Sequence, residues 1–217
     1  MKAKYAEGAR MIAPIAVAAG FFALSFGVLA RAAGMGWAAP LVMSATTFAG
    51  SAQFAVASVL GNAGSAAAAI AAAVMLNARY APIGISIASA FHGSVPKRLL
   101  QSQLIVDESW AMTIRRRGGF DVHVLLGAGG LLYLVWNAGT AVGVLLGNVV
   151  GDPNRLGLDA AFAALFLALL VPQLRSGRAV SAALLGAGIA LVLIPFAPAG
   201  IPIVAGAGGA LVGWSRR

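Results

Sequence analysis

The sequence predicts an all-α, polytopic membrane helix bundle. Three observations carry that expectation. The chain is 60% hydrophobic and only 10% charged over 217 residues, more apolar surface than a soluble domain can hide. Several apolar runs exceed the ~18 residues that mark a spanning helix, and together they make about seven hydrophobic segments. The 28 glycines suit helices that pack closely in lipid, where small residues let backbones approach. The net charge of +9 is not a nucleic-acid signature. The Lys and Arg residues fall in connections and tails, where they set orientation and meet anionic headgroups. With no cysteine, disulfides and thiolate metal sites are excluded; no cofactor and no metal site is expected.

The first segment runs from about Met11 to Ala33, and is read as a retained helix because it is longer than a signal-peptide core. Gly20 and Gly27 share a face and invite a close neighbour. The second runs from about Trp37 to Leu60, with Trp37 at interfacial depth. Read as one helix, it lines Thr46, Gly50 and Gln53 on one stripe and Ser44, Thr47, Ser51 and Ser58 on another. The hydroxyls can bond back to their own helix. The Gln53 amide needs an interhelical partner, a water or a substrate.

The third segment, from about Ser65 to Phe91, organises the rest. It carries Asn77-Ala78-Arg79-Tyr80-Ala81-Pro82 in mid-run. A charge at the centre of a spanning helix costs about 2.5 kcal/mol or more, and such charges mark functional sites by default. Pro82 lacks an N–H and crowds the carbonyl of Ala78. The segment is therefore expected to be broken or re-entrant near Asn77–Arg79, with freed backbone lining protein or a watery cavity. The bland alternative is a snorkelling or structurally paired arginine beside a tolerated proline.

A polar connection, 92–121, follows. Its acidic pair Asp107-Glu108 starts a short interfacial helix on this reading, since acidic residues in a first turn complement the helix dipole. The fourth segment runs from about Val122 to Val150. Its Gly139, Gly143, Gly147 and Gly151 recur every four residues and predict tight contact with another helix, of this chain or of a partner. Asn137 lies deep enough in it to need a partner. The fifth, sixth and seventh segments run from about Leu158 to Leu174, Ala179 to Phe196 and Ile201 to Trp214. Gly27-Val28-Leu29 matches Gly143-Val144-Leu145, and Gln53 and Pro82 have counterparts in Gln173 and Pro202. One transmembrane domain, 1–217, with repeat halves 11–91 and 122–214 is the resulting expectation, since duplicated halves with broken helices are a recurring transporter plan. If the third segment turns back on itself and the N-terminus is cytoplasmic, only Arg31 and Arg155 among the loop and tail cations fall outside, as the positive-inside rule asks. Seven simple crossings with the N-terminus outside fit nearly as well and give inverted halves.

The order of Phe48-Ala49-Gly50-Ser51-Ala52-Gln53-Phe54, Asn77-Ala78-Arg79-Tyr80, Asp107-Glu108 and Trp136-Asn137-Ala138-Gly139-Thr140 resembles the AzlC family, large subunits of bacterial branched-chain amino acid exporters. The resemblance covers about Ala13 to Trp214. Family members usually carry a bulky aliphatic residue where this chain has Ala78, and often His where it has Tyr80. The resemblance implies secondary transport of valine, leucine, isoleucine or similar amino acids, a multi-pass location in the bacterial cytoplasmic membrane, and a small AzlD-type membrane subunit as partner. No Walker-type phosphate loop is present, so ATP is not the expected driver.

For such a carrier, Arg79 is the expected fork for a carboxylate. Carbonyls near Ala78 would accept the ammonium hydrogens, and Asn77, Gln53, Ser51 and Asn137 would complete the substrate site. Asp107 and Glu108 are the candidates for ion coupling. Rival readings are a passive channel or ion carrier, and an accessory subunit of a transporter. An intramembrane hydrolase built on Ser51 or Ser65 with His92 or His123 is weaker, because both histidines flank spans; the chain is not expected to be an enzyme.

Overall fold

The computed structural model describes residues 2–113, 120–147, 167, 170–171, 174–197 and 201–209. Its elements are helices: α1 (Lys2–Ala32), α2 (Ala38–Thr46), α3 (Gly50–Gly61), α4 (Ala66–Asn77), α5 (Tyr80–Ile87), α6 (Val95–Ser102), α7 (Asp107–Thr113), α8 (Val122–Leu146), α9 (Gly177–Leu193) and α10 (Ile201–Gly206). Three stretches among the described residues are long and apolar enough to cross a membrane, namely Lys2–Ala32, Ala66–Ala90 and Val122–Leu146. The result is the expected multi-pass helix bundle. Most of the fifth segment, with Gln173 and Gly151, lies outside the described residues.

The glycine face of the fourth segment packs inside the chain, against α1. A methyl group at Gly139 would lie 2.6 Å from the Gly20 carbonyl oxygen, and one at Gly27 would lie 2.5 Å from that of Thr140. At Gly143 it would strike the Leu24 carbonyl, and at Gly147 it would lie 2.7 Å from the Arg31 side chain. Residue numbers rise together along this seam, so α1 and α8 are parallel. Lys4, at the start of α1, pairs with Asp121, the N-cap of α8, at 2.8 Å. The N-terminus and the 92–121 connection therefore share one face of the molecule, which seven simple crossings would forbid. Gly27 and Gly143, the leading residues of the two matching triplets, meet across this parallel seam.

The segment that turns back is the second, and not the third. α2 descends from the end of α1: Ser44 meets Thr140, and the Tyr133 hydroxyl donates to the Ala45 carbonyl at 2.8 Å. The chain then reverses at Thr47–Ala49, where Phe48 has φ +43° and Ala49 is extended. α3 climbs again, with Phe54 on Phe26 and Gly61 on Ala33. At 1.5 Å per residue, α2 (9 residues) and α3 (12 residues) reach about 14 and 18 Å, short of the ~30 Å hydrocarbon thickness. The single-helix stripes expected over Trp37–Leu60 do not exist, because the break rotates one half against the other. Thr46 bonds back to Val42 at 2.7 Å, inside α2.

The third segment is broken, as Pro82 requires, but it continues in one direction. Ala78 and Arg79 keep right-handed helical angles. Residue 82 is where the Ala78 carbonyl would find its regular i+4 donor, and proline has none. The Ala81 N–H takes that carbonyl instead, at 3.1 Å, tightening the turn. α4 thus runs down against α3, and α5 carries on to Ile87 and Phe91, which pack on Leu125 in the first turn of α8.

Candidate functional site

The breaks in the second and third segments lie side by side, and a cavity of about 150 Å³ opens at them. Its polar wall is Ser51, Arg79, Asp107 and Glu108; its apolar wall includes Ile15, Phe22, Phe48, Val106, Leu132 and Trp136. That volume is below the ~300–1,000 Å³ of drug-sized pockets, and suits a small solute.

Arg79 centres the polar wall. One Nη2 donates to Ser51 Oγ at 2.8 Å and to Asp107 Oδ2 at 3.0 Å. The guanidinium also lies 5.2 Å from the centroid of the Tyr80 ring. The arginine is therefore paired with a carboxylate, where a free guanidinium facing a solute was expected. The pairing is not sealed, since the two side chains are 32% and 30% exposed. A fully buried pair costs about 3–5 kcal/mol to break; one this open to its cavity is worth less and can exchange partners. The Arg79 Nε is buried and bonded to nothing among the described residues.

Asp107 and Glu108 reach the site because α7 folds back under α1 and α8. Ser109 holds this return, accepting from the Val106 N–H at 2.9 Å and donating to the Leu104 carbonyl at 2.9 Å. The Trp110 indole N–H donates to Ser86 Oγ on α5 at 3.1 Å. Glu108 is exposed on one side, yet the surrounding protein pushes its pKa above the ordinary carboxylate value. Its own backbone N–H and Arg79 oppose that shift, and the Asp107 charge adds to it.

The first turn of α3 borders the same cavity. Ala49 caps it without a side-chain bond, and Gly50 and Ser51 line the space. Uncapped N–H groups and the positive end of the helix dipole thus lie beside Arg79, which favours an anionic group there.

Gln53 takes the interhelical partners that were one of its expected options, and it does not line the cavity. It is fully buried; its amide nitrogen donates to Ser44 Oγ at 2.7 Å and its oxygen accepts from Trp136 Nε1 at 2.9 Å. Ser44 continues to Thr140 at 2.8 Å. This network ties both arms of the re-entrant hairpin to α8 and fixes Trp136, a cavity wall, by its indole nitrogen. Asn137 donates back to the Tyr133 carbonyl at 2.8 Å, in its own helix, and does not line the cavity. The Ala78 carbonyl already accepts from the Ala81 N–H at 3.1 Å, and Ala78 does not line the cavity. Asn77 Oδ1 is buried with no partner among the described residues, but Asn77 is not among the lining residues. Of the expected binding residues the fold gathers Arg79 and Ser51, and it adds the acidic pair. Trp136, Phe22, Phe48 and Tyr80 were missed as walls, because an apolar side chain facing a cavity reads in sequence like one facing a core.

Comparison with known proteins places the chain among membrane proteins of one family. The profile of the family described as AzlC protein matches residues 14–150. The branched-chain amino acid transport protein AzlC of Bacillus subtilis (strain 168) is 30% identical over 178 residues, covering 79% of this chain and 68% of its own length. An uncharacterized membrane protein of Archaeoglobus fulgidus is 32% identical over 212 residues, 93% of this chain and 90% of its own. One of Haemophilus influenzae (strain Rd) is 30% identical over 182 residues, 80% of this chain and 72% of its own. No solved structure matches significantly.

Proposed function

The chain belongs to the AzlC family of membrane transport proteins, and we propose that it exports branched-chain amino acids as an alternating-access secondary carrier. The observation that carries this reading is the Arg79–Asp107 pair, standing half-open in a largely apolar-walled cavity beside two broken helices. A zwitterion offers both charges that this pair offers. Its carboxylate takes the Arg79 fork, Ser51 Oγ and the first turn of α3. Its ammonium takes Asp107, with Glu108 alongside. The aliphatic side chain is left to the wall of Phe22, Leu132 and Trp136, where burial is worth about 1.5–3 kcal/mol. Binding thus replaces one internal ion pair by two external ones and leaves no charge alone in low dielectric.

Coupling to an ion falls to Asp107 and Glu108, the carboxylates at the cavity. The face that carries Lys2, Lys4, Lys97 and Arg98 is cytoplasmic by the positive-inside rule, with Arg31 at the opposite end. The second segment's reversal leaves the sidedness of these cations as a re-entrant third segment would have. The partner in this reading is a small AzlD-type membrane subunit.

Counterflow in proteoliposomes tests the proposal. Vesicles loaded with unlabelled leucine, with and without the small subunit, should accumulate labelled leucine transiently; valine and isoleucine should compete, and lysine and glutamate should not. Flux without exchange acceleration would instead support a passive channel, and flux only from the small subunit would make this chain an accessory.

A further inference from the structure

We infer that a passage links the central cavity to the N-terminal face of the molecule, and that Phe48 and Tyr80 close it. Two further cavities continue from the first in that direction. One of about 240 Å³ has Phe48 and Tyr80 as walls in common with the central cavity, and adds Thr47, Gly84, Ser102 and Gln103. The next, of about 340 Å³, shares Gly84, Ser102 and Ile105 with the second and reaches Val95 and Arg98 of α6. These two rings are the walls that the cavity of the ion pair and this vestibule have in common. Phe91, which lines the third cavity, packs on Leu125 at the start of α8, so the vestibule lies at the end that holds the Lys4–Asp121 pair.

Both rings sit at breaks in the helices, Phe48 between α2 and α3 and Tyr80 at the start of α5. Phe48 is the apex of the re-entrant hairpin, and a bulky residue at φ +43° is held there by its surroundings. Its ring meets Tyr133 edge-on, with centroids 5.0 Å apart. Gln103, at the end of α6, donates to the Ala45 and Thr46 carbonyls at 3.2 and 2.9 Å and so clasps the last turn of α2 just before the apex. Tyr80 lies over the Arg79 guanidinium. A solute carboxylate that draws Arg79 away from Asp107 removes the cation on which that ring rests, which links occupancy of the site to the closure. Arg98 lies at the mouth, and Thr47, Ser102 and Gln103 are the polar residues along a passage whose other walls are mainly apolar.

This inference rests on the central cavity being the solute site, and its test separates the two. The chain has no cysteine, so single-cysteine variants report on one position each. Gly84→Cys and Ser102→Cys, beyond the rings, should react with a membrane-impermeant methanethiosulfonate added on the N-terminal side of sealed vesicles. Ala19→Cys, in the central cavity, should react slowly. Phe48→Leu, and independently Tyr80→Ala, should speed Ala19→Cys labelling roughly tenfold, the effect of a barrier lowered by about 1.4 kcal/mol, with Gly84→Cys labelling unchanged. Two results overturn the passage: Ala19→Cys labelling indifferent to both ring variants, or Gly84→Cys and Ser102→Cys reacting only with a lipid-soluble maleimide, which would make the vestibule a lipid-filled groove. Protection of Ala19→Cys by leucine is read separately; ring-dependent labelling without protection keeps the passage and refutes the substrate.

Discussion

The α1–α8 seam and the pair of broken segments beside it solve the same problem in opposite ways. Both must satisfy backbone groups at membrane depth. The seam does so with two unbroken helices whose glycines bring their backbones into contact. The broken pair leaves its helix ends at a cavity and answers them with Arg79, Ser51 and the returning carboxylates. One region is packed backbone against backbone; the other is polar and partly open. In the proposed mechanism the seam is the frame against which the hairpin and the third segment move.

The sharpest break in this contrast is Gly143→Leu. Its side chain has only the Leu24 and Gly27 backbones to displace, so at least about 3 kcal/mol of stability should be lost, at the top of the usual overpacking range. Gly130, on the same helix, has open space around it, and Gly130→Leu should stay within about 0.5 kcal/mol of the parent. Thermal unfolding in detergent measures both; equal losses would mean that the seam is not the frame. Next comes Gln53→Leu, which strands the Trp136 indole N–H and removes a partner from Ser44. The expected cost is about 1–3 kcal/mol for the stranded group, together with weaker discrimination among aliphatic amino acids as Trp136 loosens. A stable variant with unchanged competition profiles would reduce Gln53 to filler. The smallest effect is expected from Glu108→Gln. The Glu108 pKa is raised, so its proton is held above the ordinary carboxylate range and leaves as pH rises further. Leucine flux in the parent should change across that window, and in the variant it should be flat while remaining measurable. A pH profile identical in both would take Glu108 out of coupling.

Much of this was legible in the sequence. The glycine repeat named the packing face, though not its partner, because spacing says nothing about which helix lies opposite. Pro82 and Arg79 located the kink, since one removes a donor and the other cannot be left in lipid. The reversal at Phe48 was not legible. Thr47-Phe48-Ala49 carries no glycine or proline, and a left-handed phenylalanine is imposed by tertiary contacts. That one unseen break changed the assignments of Gln53 and Thr46 and moved the re-entrant hairpin from the third segment to the second. Asn137 misled for the opposite reason: a bond to its own helix satisfies it, and such bonds leave no trace in spacing.

The central claim is that Arg79 trades Asp107 for the carboxylate of the transported solute. Calorimetric titration of leucine into purified Arg79→Ala tests it most directly, because losing a charge-assisted contact of about 1.5–3 kcal/mol corresponds to a tenfold to hundredfold weaker affinity. The account predicts a monodisperse, folded variant whose leucine affinity falls by that factor or more. A folded variant that binds leucine as tightly as the parent would contradict it.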